Sequence, residues 1–146
     1  MNIFSRYQNR NSQRKESIFS HASCDISVRF DPNSGKEQIN NYILVKPIGK
    51  GSFAQVFLAY NINDKHKYAV KVVQLARLRR ILTSKTTTGI DSLETEIAIM
   101  KKLDFKHLVK MYEVLGDQEN DKIYIITEFM KNGALKIGKF LVKNYQ

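Results

Sequence analysis

Two charged residues and a pair of glycines in this sequence have the types and spacing for work on a polyphosphate. Lys71 closes the run Tyr68-Ala69-Val70-Lys71, and Glu96 lies in a separate run further along the chain. An ammonium attracts phosphate oxygens, but its long stem is flexible, and a carboxylate brought from another element would hold it in one place. Upstream, Gly49 and Gly51 stand within Ile48-Gly49-Lys50-Gly51-Ser52-Phe53-Ala54-Gln55-Val56. A turn covering a polyphosphate needs its backbone N–H groups close to anionic oxygens, and side chains at 49 and 51 would block that approach. Ile48 and Val56 flank the turn with apolar surface suited to a flat base. Alone, a Gly-x-Gly turn is an ordinary hairpin that needs no ligand. Lys71 and Glu96 are what make it specific.

Strands are expected on both sides of the glycines. Tyr42-Ile43-Leu44-Val45-Lys46-Pro47-Ile48 is β-rich, with Pro47 restricted to an edge or strand end because it cannot donate to a ladder. Residues 53–60 and 67–73 read as second and third strands, the latter alternating polar and apolar, with a turn at 61–65. Short turns between them predict an antiparallel meander. Residues 74–82 suggest a helix with Leu75, Leu78 and Leu82 on one face and arginines on the other, before a polar break at 84–89. Asp91, with Glu94 three residues on, reads as the N-cap and capping-box partner of a longer helix. In it Leu93, Ile97, Met100 and Leu103 form one apolar stripe, with Glu96 on its shoulder and Glu94 pointing away. Two further strands, 109–115 and 123–127, join through the acidic turn at 116–121, and residues 134–146 suggest the start of a helix weakened by Gly138. The expected fold class is α+β, a five-stranded antiparallel sheet with one long helix after the third strand.

Composition narrows the class. At 146 residues the chain suits one domain, and 42% hydrophobic with 26% charged residues argues against disorder throughout. The single Cys24 cannot form an internal disulfide, so a reducing, intracellular compartment, in the first instance the cytoplasm, is the default. No apolar stretch follows the basic start, which excludes a secretory signal there, and no run reaches the length of a membrane span. Residues 1–40 are rich in Asn, Ser, Gln and Arg without a period, and read as a disordered polar leader. They carry six basic and four acidic side chains against eighteen and ten in residues 41–146, so most of the +10 net charge belongs to the patterned region. Aromatics are not interleaved with the basic residues as a base-stacking surface requires, so no nucleic-acid partner is expected.

Three other clusters carry weaker signals. Asp117-x-Glu119-x-Asp121 with Glu128 imitates a calcium loop, but Lys122 stands where a glycine is needed and a strand follows, so a solvated hairpin turn is expected and no metal site. His21, His66 and His107 have no ligand spacing. The leucine stripe at 75–82 with Arg77, Arg79 and Arg80 suits calmodulin, an acidic lipid surface or a partner kinase, but a basic solvated face over a packed helix is the simpler expectation.

Taken together, the Gly-rich turn, the strand-three Lys71 and the helical Glu96 resemble the signature of protein kinases. Residues 42–131 resemble the amino-terminal lobe of eukaryotic Ser/Thr protein kinases. Leu58-Ala59-Tyr60-Asn61, Tyr68-Ala69-Val70-Lys71 and Glu96-Ile97-Ala98-Ile99-Met100-Lys101-Lys102-Leu103-Asp104 look most like the calcium/calmodulin-dependent kinase kinases, which also carry a basic insertion before helix C. The resemblance implies ATP as cofactor, with Gly49, Gly51 and the N–H groups of Ser52 and Phe53 covering the phosphates. It implies that Lys71 pairs with the α- and β-phosphates, that Glu96 holds Lys71, and that Thr127 is the gatekeeper. The backbone of Glu128 and Met130 would meet adenine, sandwiched by Ile48, Val56 and Ala69. Ala54 departs from the family pattern where a third glycine usually stands, and Phe105-Lys106-His107 replaces the usual His-Pro-Asn.

The family's catalytic loop (His-Arg-Asp, then Asn) and its Asp-Phe-Gly metal ligand should lie beyond Gly133, where thirteen residues remain and none matches. Mg²⁺ is therefore expected only in a complete kinase domain. The division expected is a leader at 1–40, an ATP-binding lobe at 41–133, and at 134–146 the start of a following segment, the carboxy-terminal lobe being absent. The function implied is the ATP-binding lobe of a Ser/Thr kinase, truncated and not active alone, whose partners are ATP and a protein substrate or partner kinase. The alternative is a non-catalytic module that binds a nucleotide or a kinase partner.

Overall fold

The computed structural model describes residues 18–82 and 87–131, together with the backbone of 134–137 and 140–143. Chain order runs β1 (Val28–Phe30), β2 (Glu37–Ile39), β3 (Tyr42–Lys50), β4 (Ala54–Asn61), β5 (Lys67–Gln74), α1 (Leu75–Leu78), α2 (Gly89–Lys102), β6 (Met111–Asp117), β7 (Lys122–Glu128), β8 (Ala134–Ile137) and β9 (Phe140–Lys143). The first seven strands form one antiparallel sheet in the order β1-β2-β3-β4-β5-β7-β6. β3 to β7 are the five strands expected, and β5, which carries Lys71, lies inside the sheet with partners on both sides. Pro47 falls beyond the short pairing of β3 with β2, and register shifts flank it, so its missing donor costs the ladder nothing on that side.

Both sheet faces are buried. On one, Val73, Ile123 and Ile125 pack with Leu75 and Leu78 of α1 and Ile90, Leu93 and Ile97 of α2. On the other, Ile39, Tyr42, Leu44, Ala59, Val70, Leu115, Tyr124 and Ile126 all come from strands, so the sheet curls over its own side chains. β7 is buried at five successive positions, which is why it reads as a continuous apolar run instead of an alternating one.

Several expectations are corrected. Residues 18–40 are not a disordered leader: Ile18 and Phe19 are buried in the helix-side core, and β1 and β2 extend the sheet from five strands to seven. Ile18, Phe19 and Ile39 bury apolar surface in a stretch whose average composition is polar. Residues 1–17 lie outside the described residues. The first helix is only four residues long, and Leu82 is 71% exposed instead of continuing the stripe. The chain turns back there, with Gly89 N–H donating to Ile81 O at 2.8 Å and Leu82 bridging Thr88. Arg79 is not on a solvated face either; both its terminal nitrogens donate to the Asp121 carboxylate.

The N-cap of the long helix lies three residues before the expected one. Thr88 is the N-cap: its hydroxyl oxygen accepts from Asp91 N–H at 3.4 Å, and the Asp91 carboxylate accepts from Thr88 N–H at 2.6 Å. Asp91 is thus the capping-box partner, a role that its own spacing to Glu94 disguised. Early entry into the helix also requires Gly89, where a Cβ would lie 2.7 Å from Leu78 O. Finally, residues 134–137 and 140–143 form a two-stranded hairpin instead of a helix start. Ile137, Phe140 and Val142 are residue types that favour extended backbone.

Candidate functional site

Lys71 is fixed by the ladder on both sides, opposite Val56 of β4 and Ile125 of β7. Strand alternation sends it to the same face as Val73, toward α2. Glu96 reaches that face because it lies between Leu93 and Ile97, the α2 residues buried against the sheet. Lys71 Nζ stands 3.5 Å from Glu96 Oε1, with the two side chains 32% and 28% exposed. This is an ion pair within reach of solvent, and of any anion that approaches the face.

The glycine turn lies at the adjoining end of β3 and β4. Gly49 pairs with Val56 and Lys50 with Gln55, and Gly51 N–H donates to Ala54 O at 2.7 Å to close the hairpin. Among the described residues the glycine with positive φ is Gly35, not Gly49 or Gly51. A Cβ would come no nearer than 3.7 Å to any neighbour at Gly49 or 3.6 Å at Gly51, which are ordinary contacts. Neither backbone strain nor internal crowding therefore calls for glycine at these positions. Ser52 is exposed. Phe53 instead turns inward onto the helix-side core, while its carbonyl accepts from Gln74 N–H at 3.0 Å.

The remaining expected residues are spread over β3, β4, β5 and β7 and the residues just after β7. Ile48 is 45% exposed, whereas Val56 and Ala69 are half-buried. Ala69 pairs with Thr127, whose hydroxyl donates to Ala69 O at 3.4 Å. Thr127 itself is buried. Glu128 N–H donates to Lys110 O at 2.9 Å, so the backbone donor at that position is already taken. Met130 follows β7 and is half-buried. The acidic turn serves the fold: Asp117 accepts from both nitrogens of Asn120, at 3.0 and 2.8 Å, and Asp121 is paired with Arg79.

Two features escaped the sequence reasoning. A cavity of about 500 Å³ abuts the glycine turn, and Glu37, Lys50, Arg77 and Lys122 are among the residues that line it. Ile18 and Phe19 pack in the same core as α2; their only signal was a pair of large apolar residues in a polar stretch.

The protein kinase domain family matches residues 42–143. The chain belongs to the protein kinase family. Its curled sheet and long helix are the amino-terminal lobe of that domain. Similar proteins are themselves kinases. A probable serine/threonine-protein kinase of Dictyostelium discoideum is 38% identical over 107 residues, covering 69% of this chain and 15% of that protein. SNF1-activating kinase 1 of Saccharomyces cerevisiae is 36% identical over 116 residues, covering 76% of this chain and 10% of that protein. A calcium/calmodulin-dependent protein kinase kinase of Caenorhabditis elegans is 33% identical over 147 residues, covering 79% of this chain and 27% of that protein. The chain thus spans about a quarter or less of the length of these relatives.

Proposed function

We propose that this kinase lobe binds ATP through the glycine turn and the Lys71–Glu96 pair, as the nucleotide-holding part of a Ser/Thr protein kinase. The observation that carries it is the 3.5 Å approach of Lys71 on the sheet to Glu96 on a separate helix. Gly49 and Gly51 add to it: the fold has room for side chains there, so their absence suits the close approach of a ligand to backbone N–H groups. In this reading Lys71 meets the α- and β-phosphates and Glu96 holds its ammonium in place. Ser52 and Phe53 offer N–H groups, Ile48, Val56 and Ala69 enclose the base, and Thr127 forms its back wall. The carbonyl side of Glu128 and the backbone of Met130 meet the base edge.

Mg²⁺ binding and phosphoryl transfer need further carboxylates, which a complete kinase domain would supply. The 146 residues are proposed to hold ATP without transferring its γ-phosphate by themselves, and to supply that activity as part of a complete kinase domain acting on protein hydroxyls. Among the described residues no helix is long and apolar enough to cross a membrane. The cytoplasm is the proposed setting.

Calorimetric titration with ATP tests the reading. Saturable binding by the parent and at least about tenfold weaker binding by Lys71→Met are expected, a difference of roughly 1.4 kcal/mol. No binding by either protein would overturn it. Incubation with ATP, Mg²⁺ and a general protein substrate should give no phosphoprotein, and transfer would refute the second part.

A further inference from the structure

We infer that residues 18–23 form a brace that positions α2, and with it Glu96, against the sheet, with Phe19 as its anchor and Gly116 as its seat. The segment lies upstream of residues 42–143, the part matched by the kinase domain. It begins as a helical turn in which Ala22 N–H donates to Phe19 O at 3.1 Å. Ile18 is fully buried and Phe19 is 5% exposed, and both pack in the core that contains Leu93 and Ile97. Those two α2 residues flank Glu96 in the sequence, so whatever presses on them also sets the height of Glu96 over the sheet.

The seat is specific. A Cβ on Gly116 would lie 2.5 Å from Phe19 Cδ1 and 3.2 Å from Ala22 Cβ. Gly116 does not have positive φ, so its lack of a side chain answers to the ring above it. The brace is then tied to both bodies it spans. Ser23 N–H donates to Val114 O at 2.8 Å and Gly116 N–H donates to Ser23 O at 2.8 Å, a parallel pairing along the outer edge of β6. Lys101, in the last turn of α2, donates to His21 O at 2.5 Å. Between these ties a cavity of about 430 Å³ opens between the segment and β6. The brace is therefore held along its length, by the side chains of Ile18, Phe19 and Ala22 and by the backbone ties at His21 and Ser23.

The effect on nucleotide binding rests on the ATP reading above; the brace itself does not. Hydrogen exchange followed by mass spectrometry on the full chain separates the two. Phe19→Ala removes the anchor. Ser23→Pro removes the donor to Val114 O, together with the hydroxyl that accepts from Asp25 N–H at 3.4 Å, and leaves every core side chain intact, so it serves if the first variant folds poorly. Each is expected to speed exchange of the α2 amides about tenfold while β3 to β5 keep the parent rates, and to weaken ATP binding several-fold. Gly116→Ala should have the same effect alone but add little to Phe19→Ala, because the ring it displaces is already gone. Unchanged α2 exchange in Ser23→Pro, or an additive Gly116→Ala effect, would overturn the brace. If the parent binds no ATP while the exchange pattern holds, the nucleotide reading fails and the brace stands.

Discussion

Lys71 and Glu96 meet across two elements at 3.5 Å, yet each keeps roughly a third of its side chain in contact with solvent. An ion pair so hydrated contributes about 0–1 kcal/mol to stability. Its value must lie in what it holds. Lys71→Met and Glu96→Gln should therefore leave the thermal midpoint within a few degrees of the parent. ATP affinity should fall by about tenfold or more for Lys71→Met, and by less for Glu96→Gln, which keeps a hydrogen-bonding oxygen. Thermal unfolding and calorimetry on the same preparations check both. A large loss of stability would show the pair to be structural.

Glycines at 49 and 51 should separate folding from binding. Both sites have room for a methyl group, and neither has positive φ. Gly49→Ala and Gly51→Ala are expected to be neutral or to stabilise by up to about 1 kcal/mol, since they restrict the unfolded chain. The same changes should weaken ATP binding by crowding the backbone. Gly35 is the control: nothing lies within 4 Å of a Cβ there, but its φ is +65°. Gly35→Ala should cost roughly 1 kcal/mol and leave ATP binding unchanged. Urea denaturation beside ATP titration reads all three.

Arg79 is expected to matter more than its basic neighbours. It is paired through both terminal nitrogens to Asp121, with each side chain 22% exposed. Asp121 O also accepts from Leu75 N–H at 3.0 Å, so the pair ties the start of α1 to the β6–β7 turn. Arg79→Ala should destabilise by about 1–3 kcal/mol, and Arg79→Lys should recover only part, because an ammonium cannot reproduce the fork. The exposed Arg77 and Arg80 should each give less than about 0.5 kcal/mol on the same measurement. Equal effects at all three would rule out a special role for the pair.

What the sequence made legible follows from how each feature is encoded. β3 to β5, Lys71 and Glu96 were readable because alternation and apolar spacing are repeated signals, and several agreed. Thr88 was hidden because Asp91 fits two overlapping capping patterns, and only the extended backbone at Thr88 decides between them. β1 and β2 have three residues each, too few for a period to show. Phe19 and Gly116 form a contact across nearly the whole described lobe, and nothing local to either residue announces it.

Two linked titrations should contribute to the pH dependence of stability. Tyr68 hydroxyl donates to Asp64 Oδ2 at 2.5 Å. That bond holds the Asp64 carboxyl below its ordinary value of 3.8. The same bond, with burial behind it, pushes Tyr68 from 10.0 up to about 12. For Asp64 the folded value is lowered, so its stabilising share is present above 3.8 and lost as pH falls through the folded value. For Tyr68 the folded value is raised, so its share is complete below 10.0 and lost as pH rises toward about 12. Tyr68→Phe should flatten both limbs of the stability–pH curve, measured by urea midpoints across the range. Identical slopes in parent and variant would contradict this.

The bridge from Ser23 to β6 has a consequence at the scale of many molecules. A sheet whose two outer strands are both open can add neighbours at each side and grow into a ribbon. Here the middle of β6 is already engaged by Ser23, while the opposite outer strand, β1, presents Phe30 at 71% and Val28 at 39% exposure. Copies of this lobe that join edge to edge through the seven-stranded sheet are therefore expected to meet β1 to β1, the outer strand that Ser23 does not engage.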